Sequence, residues 1–538
     1  MKLKKIVATA IVTVLLVPSM AMAANNGAVN PNVRTPASDL RATLSQLLST
    51  HFEYQALTTL KEYQGVMDAE TAKNMLEKNA DEMKAAVKSI YGQAGADQFA
   101  EIFSSQYNDS ADLGSAVKNG NATQEAEVKK DLLQEFPTEL GNFLGTATAG
   151  NLPAATATQV LSAHEKDVQD FFYSYIKGDY DAAYEHFTVG FKRMSDIGTA
   201  LAGAIVKQFP EKFDNTVVVT PANDLRAVLD QLLAIHFFYQ SMTTLEQYKG
   251  APDAETVREQ LEKNANEMSA AVKSLYGQAG ADQFTQIFSS QYSNSADLGI
   301  AVKNNDMTQE GKVKMELLQN FPTVLGNFLG TATGDNLPAA TATQVLKAHE
   351  QDVQDYFYNY IKGDYEKAYN VFAAGDKRMY VIGTALADAI VQQMPEKFTS
   401  QVTPSQPASS NNMTTIWMKI GSKQLIINDK TTQMDTTPFL WNNWTFIPLR
   451  YLSEGIGAQV GWDASNDTIT VKAGDDTLTF WIGKDYMMVN NVKKEIGTPV
   501  IIKDGRTAVP LRFITELLGW HVDFQKADGS ITLTKAMK

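Results

Sequence analysis

Four of the six histidines in this chain fall into two matching sets. His51 and His164 return 185 positions later as His236 and His349. Asp167 and Asp352 each follow the second histidine of their set by three residues, a spacing that puts both side chains on one face of a helix. Gln106 with Asp112, and Gln291 with Asp297, stand between the histidines and could approach from a middle helix. Imidazoles and carboxylates turned into a helical bundle are how such folds hold divalent transition metals. His51, His164 and Asp167, with His236, His349 and Asp352, are therefore candidate ligands, one site per set. The same histidines also fit a plainer role as core or helix-surface residues paired with a neighbour. No Glu-x-x-His or His-x-x-x-His motif selects the metal.

A second candidate lies in the aromatic residues. The six tryptophans, Trp417, Trp441, Trp444, Trp462, Trp481 and Trp520, all stand in the last quarter of the chain. Trp441 and Trp444 flank Asn442-Asn443 on an expected loop, and exposed aromatic faces can hold a sugar polymer. Both are candidate ligand-binding residues. The run Phe171-Phe172-Tyr173-Ser174-Tyr175, matched by Tyr356-Phe357-Tyr358-Asn359-Tyr360, fits core packing with hydroxyls at the rim, or the wall of a groove.

Several chemistries are excluded. The chain has no cysteine, so no thiolate nucleophile, thiolate metal site, disulfide or cysteine-linked lipid. It has no Gly-x-Ser-x-Gly, His-Glu-x-x-His, phosphate-binding loop or dinucleotide fingerprint. No catalytic residue can be nominated, and the expectation is a protein that is not an enzyme. A formal charge of −14 argues against nucleic acid as a partner.

The elements that must position these residues are legible as a duplication. Thr35-Pro36-Ala37 returns as Thr220-Pro221-Ala222, and Pro210-Glu211-Lys212-Phe213 as Pro395-Glu396-Lys397-Phe398, at the same offset as the histidines. A copy without net insertion implies two domains of one fold, 35–214 and 220–398. Thr35 before Pro36 fits a helix N-cap with proline at the first position. Leu40, Leu44, Leu47, Leu48 and His51 then share one face of a helix reaching about Gln64. Further helices are expected over 69–91 (stopped by Gly92), 96–107, 124–144, 153–176 and 179–209. Each module should be an antiparallel bundle of about six helices. Residues 399–413, rich in Ser, Pro, Gln and Asn, read as a linker.

From residue 415 to 538 the texture changes to β-branched alternation with a shorter duplication of its own. Ile447-Pro448-Leu449-Arg450 returns as Val509-Pro510-Leu511-Arg512, and Gly457 as Gly519. Each half reads as a hairpin, a short helix after Pro-Leu-Arg, and a strand pair such as 459–462 with 468–471. The expected class is multidomain: two all-α bundle repeats and a C-terminal α+β domain built from two half-repeats.

Gly505-Arg506-Thr507-Ala508-Val509-Pro510-Leu511-Arg512-Phe513-Ile514, then Glu516-Leu517-Leu518-Gly519, closely resembles the copper amine oxidase N-terminal-like domain over about 415–536. Trp444 to Arg450 followed by Gly461-Trp462-Asp463 resembles it in the first half, with Asn443-Trp444 where Gly-Arg is usual. The resemblance implies a small α+β accessory domain, common in exported proteins of Gram-positive bacteria. It does not bring oxidase chemistry. That activity needs Asn-Tyr-Asp/Glu and three copper-binding histidines, whereas Asn359-Tyr360 precedes Ile361 and the domain holds one histidine, His521. The helical modules distantly resemble uncharacterised modules of exported bacterial proteins with histidines at comparable helix positions. Where one of those histidines stands, this chain has Gln106 and Gln291.

Lys2, Lys4 and Lys5, the apolar run from Ile6 to Val17, and Ala21-Met22-Ala23 fit a signal peptide over 1–23. No later run is apolar enough to cross a membrane, so no transmembrane segment is expected in the mature chain. The protein is expected to be secreted or cell-wall associated, of Gram-positive type. Two functions fit: an envelope protein whose C-terminal domain binds a cell-wall polymer or surface protein and displays the tandem bundles, or a metal-binding protein with one site per bundle.

Overall fold

The computed structural model describes residues 31–399 and, between 413 and 536, all but 428–429, 442–443, 452–457, 464–465, 467, 474–475, 491, 496–497, 504, 512–520 and 526–528. The expected signal peptide and nearly all of the expected linker lie outside the described residues. The chain divides into two compact units, up to Val402 and from Thr403. Among the described residues no helix is long and apolar enough to cross a membrane.

The first unit is all helix. Its first half contains α1 (Pro36–Gln64), α2 (Ala69–Lys118), α3 (Ala122–Lys130), α4 (Phe136–Ala147), α5 (Ala154–Ile176) and α6 (Tyr180–Gln208). The second half repeats them as α7 (Pro221–Lys249), α8 (Ala254–Lys303), α9 (Met307–Met315), α10 (Phe321–Ala332), α11 (Ala339–Ile361) and α12 (Tyr365–Gln393), closed by a short turn, α13 (Pro395–Phe398). Thr35 caps α1 as expected, its hydroxyl accepting from the Ser38 N–H with Pro36 behind it. Gly92 adopts φ 77°, which a side chain resists, and breaks α2 where the sequence places a stop. The helical segment beyond it runs to Lys118, past the expected end at Tyr107. The helix expected over 124–144 is α3 and α4 joined by one wide turn, Asp131–Glu135. Pro137, which has no N–H to give the helical ladder, follows that turn.

α1 is the axis of its module. Every residue from Ser49 to Lys61 is buried, as is every residue from Ala234 to Leu245 in α7. A helix buried all round lies inside a bundle and not on its face. Its polar groups must then find partners within the protein, and this brings His51 and Gln55 to the site described below.

The two modules share one core. Phe187 stacks on Phe238 at 4.3 Å between ring centres, and Tyr54 packs against Tyr369 and Phe372. Their contacts are reciprocal. Arg41 pairs with Asp224 at 2.6 Å while its counterpart Arg226 pairs with Asp39 at 2.5 Å. Lys192 pairs with Glu267 while Lys377 pairs with Glu82. That is an isologous, two-fold-like interface within one chain. The symmetry is broken at several buried or half-buried positions, Lys61 against Glu246 and Phe191 against Asp376 among them. Where the second module has Phe238, the first has Glu53, buried with neither carboxylate oxygen hydrogen-bonded. Burial, and then the Asp376 charge, push its pKa well up.

The second unit holds β1 (Met413–Lys419), β2 (Gln424–Ile427), β3 (Lys430–Gln433), β4 (Phe439–Trp441), β5 (Trp444–Pro448), β6 (Gln459–Asp463) and β7 (Thr468–Ala473). They recur as β8 (Asp476–Trp481), β9 (Tyr486–Val489), β10 (Val492–Glu495), β11 (Ile501–Lys503), β12 (Arg506–Pro510), β13 (His521–Gln525) and β14 (Ser530–Ala536). Three antiparallel sheets result, in the orders β13-β14-β1-β2-β3, β10-β9-β8-β7-β6 and β11-β12-β5-β4. Each mixes the halves: Ile416 of β1 sits opposite Leu533, Ile469 of β7 opposite Phe480, and Ile447 opposite its own repeat mate Val509. Ile416, Leu425, Ile447, Leu478, Val509 and Leu533 are buried in the common core. Helical turns begin at Leu449 and Leu511, as Pro-Leu-Arg implies, and their continuations lie outside the described residues.

Candidate functional site

α1 and α5 turn His51 and His164 toward each other, with ring centres 5.8 Å apart; in the second module His236 and His349 stand at 5.9 Å. All four rings are buried. Gln106 arrives from α2, its side-chain nitrogen 3.1 Å from His51 Nε2 and 3.1 Å from Glu165 Oε1. Gln55, one turn along α1 from His51, donates to Glu165 Oε2 at 2.7 Å and to the Ser110 hydroxyl at 3.2 Å. The second module repeats the set with Gln291, Glu350, Gln240 and Ser295.

The ring of His236 is engaged on both sides, by Gln291 at Nε2 and by the Asn264 side-chain oxygen 3.0 Å from Nδ1. That arrangement fixes the tautomer protonated at Nδ1, with Nε2 accepting from the amide. Asn79 stands in the corresponding place beside His51, but no hydrogen bond joins them, and His51 Nδ1 and Asn79 Oδ1 are unpartnered. His164 is different: neither of its ring nitrogens has a hydrogen-bond partner, and Glu165 Oε1 is 3.6 Å from its Nε2, beyond bonding range. His349 Nδ1 is likewise unpartnered.

The group carries no net charge near neutral pH. Burial draws His51 and His236 down to about 4. It draws His164 and His349 well below the usual imidazole range, helped by the neighbouring histidine. Burial also pushes Glu165 and Glu350 up to about 8, against the amides bonded to them. Gln55 Oε1 and Gln106 Oε1 have no donor. Turning either amide over lets its oxygen accept the carboxyl proton of Glu165.

This polar group borders an apolar cavity. α1, α2, α4, α5 and α6 enclose about 90 Å³ in the first module, and their repeats about 100 Å³ in the second. Leu47, Met83, Phe99, Phe143, Leu161 and Met194 are among the walls, with His51 and His164 on one side. Every lining residue of the first cavity recurs identically in the second except Ile90, which becomes Leu275. No serine, cysteine, lysine or carboxylate lines either one.

The sequence-predicted metal set is only partly brought together. The histidines pair, but Asp167 and Asp352 do not join them, because Arg193 and Arg378 of the following helix take their carboxylates in two-pronged ion pairs. Asp112 and Asp297 are exposed on the far face of their helices. Gln106 Nε2 stands against Nε2 of His51. Among the described residues no group of three or more His, Asp or Glu side chains is placed to hold a metal ion. Glu165 and Glu350 escaped sequence reasoning, although Leu161, Glu165, Val168 and Phe172 form one helical stripe in which a charged residue stands out.

In the second unit, Trp441 and Trp444 sit opposite each other at the joined ends of β4 and β5 and not on an open loop. Trp441 is 38% exposed and meets buried Phe446 edge-on, ring centres 5.7 Å apart. The Trp444 side chain lies outside the described residues. In the aromatic runs, Phe171 and Phe172 are core, and the Tyr173 and Tyr358 hydroxyls bond Glu125 and Glu310 at 2.6 Å at the rim.

No curated protein and no solved structure matches the chain. Its C-terminal part does match a family model, at residues 389–468 and 433–533: that of the copper amine oxidase N-terminal domain, the family its Pro-Leu-Arg repeats resemble.

Proposed function

We propose that this is an exported, non-catalytic binding protein of the cell envelope, whose two helical modules each hold a small apolar molecule. The observation that carries this reading is the pair of cavities with the same walls. An empty apolar cavity of about 90 Å³ costs about 2 kcal/mol in lost packing. A single leucine enlarged at the wall would remove much of that cost. Both modules instead keep the space, while their contact surfaces have diverged at places such as Glu53 and Phe238. The lining supports a role in binding, since it has shape and apolar area but no nucleophile with a base beside it. The C-terminal domain, on this reading, attaches the protein to a cell-wall polymer or surface partner, with Trp441 offering an exposed aromatic face. Residues 1–23 direct export.

A second reading, a transition-metal site in each bundle, draws support from the pairing of His51 with His164. Equilibrium dialysis of chelator-treated protein separates the two. The proposal expects two equivalents of an uncharged apolar dye such as N-phenyl-1-naphthylamine and no stoichiometric Zn, Cu or Fe. Two tightly held metal ions, lost on replacing His51 and His236 with alanine, would establish the second reading instead. Attachment is tested by sedimentation with cell walls, where the full chain should pellet and a chain ending at Val402 should not.

A further inference from the structure

We propose that the occupant of each helical cavity is an uncharged molecule with an apolar body and one hydrogen-bonding head, an alcohol or a ketone, seated with its head against His164 or His349. This rests on the reading that the cavities bind apolar molecules, and it names their class. Apart from the histidine side the cavity walls are hydrocarbon but for Tyr91 and Thr148, whose hydroxyls already donate to Gln208 and to the Leu144 carbonyl. His164 is 2% exposed and lines the cavity, yet neither of its ring nitrogens meets a protein partner. A neutral imidazole carries one donor and one acceptor, and a buried one left unpaired is costly. Its neighbour His51 has its Nε2 engaged by Gln106 and lacks a partner only at Nδ1, so His164, with neither nitrogen engaged, has the most capacity left over.

The head must be uncharged because nothing at the cavity can balance a charge. Arg193, the cation nearest His164, is bonded to Asp167, and Glu165 is held between Gln55 and Gln106. The histidines stay neutral through burial. A carboxylate or ammonium head would therefore lose its water without gaining a counter-charge. A pure hydrocarbon fills the space but leaves the imidazole unpaired. A hydroxyl satisfies it by giving or accepting a hydrogen bond, and a ketone by accepting one.

The test is displacement of N-phenyl-1-naphthylamine from the full chain at pH 7 by octane, 1-octanol, 2-octanone, octanoate and octylammonium. The alcohol and ketone should displace the dye at concentrations roughly tenfold below those needed for octane, the factor expected of one added hydrogen bond. The two ions should be weaker than octane. In a His164→Leu, His349→Leu variant the advantage of the alcohol should vanish while octane still displaces the dye, which also shows that the cavity has kept its fold. His164→Gln with His349→Gln, which retains a donor and an acceptor, should preserve part of the advantage. Octanoate binding as well as octanol, or an octanol preference that survives the leucine variant, would overturn the proposal and leave the apolar cavities standing. A chain that binds no dye would instead overturn the reading beneath it.

Discussion

Glu165 and Glu350 set the charge of the site, and their protonation makes a prediction about pH. Burial raises Glu165 from 4.5 to about 8, so the folded chain keeps a proton that the unfolded chain releases. The stability this contributes is complete below about pH 4.5 and is lost as pH rises through 8. The histidines act in the opposite sense. His51 and His236 are drawn from 6.5 to about 4, so their contribution is present above 6.5 and lost as pH falls toward 4. A Glu165→Gln, Glu350→Gln variant loses the first dependence and keeps the second. Thermal melts from pH 5 to 9 should show its Tm gaining on that of the native chain up to about pH 8 and levelling off above it, and a constant difference throughout would contradict the assignment. Much of this site was legible as residue types. The duplication marks His51, His164 and Gln106 by repeating them. Asp167 was misplaced because spacing along one helix says which residues share a face, but not that an arginine from the next helix claims the carboxylate.

At the scale of elements, the sequence carries the helices well and their environment less well. Thr35, Gly92 and Asp179 mark ends through local chemistry that the backbone obeys: Asp179 caps α6 by accepting from the Ala182 N–H. The burial of α1 on every side was not legible, because Ser49, Thr50, Glu53, Gln55, Thr58 and Thr59 look like a solvent-facing stripe until neighbouring helices surround them. How close those neighbours come is visible at Gly114. A methyl group there would lie 2.2 Å from the Thr59 carbonyl oxygen, which belongs to the central helix and cannot yield cheaply. Gly114→Ala should cost roughly 1–3 kcal/mol by denaturant unfolding, through overpacking. Gly203→Ala, on a helix with open space around it, should stabilise by about 0.5–1 kcal/mol. If the two substitutions behave alike, the close approach of α1 and α2 is wrong.

For the whole molecule, the duplication read as two domains folds as one unit. The sequence shows two copies but not that their copied surfaces face each other, since reciprocity such as Arg41–Asp224 with Arg226–Asp39 exists only after folding. The aspartates of these pairs are exposed although the arginines are largely buried, and ion pairs open to water on one side add little strength. The shared core around Tyr54, Phe187, Phe238 and Phe372 holds the modules together. Calorimetry of the native chain should therefore give one transition for the helical tandem and a second for the C-terminal unit. Separate transitions for the two modules would contradict the common core. The C-terminal unit was more legible, because its half-repeat carries family motifs. What the motifs could not show is that each sheet draws strands from both halves.

The central claim is that each module has its own apolar binding cavity, and filling the cavities one at a time tests it most directly. Ala86 and Ala271 are equivalent cavity-wall positions, so Ala86→Leu should occupy the first space and Ala271→Leu the second. Dye stoichiometry by equilibrium dialysis should fall from two per chain to one in either single variant and to none in the double variant, with helical content unchanged. A native chain that binds no dye, or a double variant that still binds two, would contradict the account.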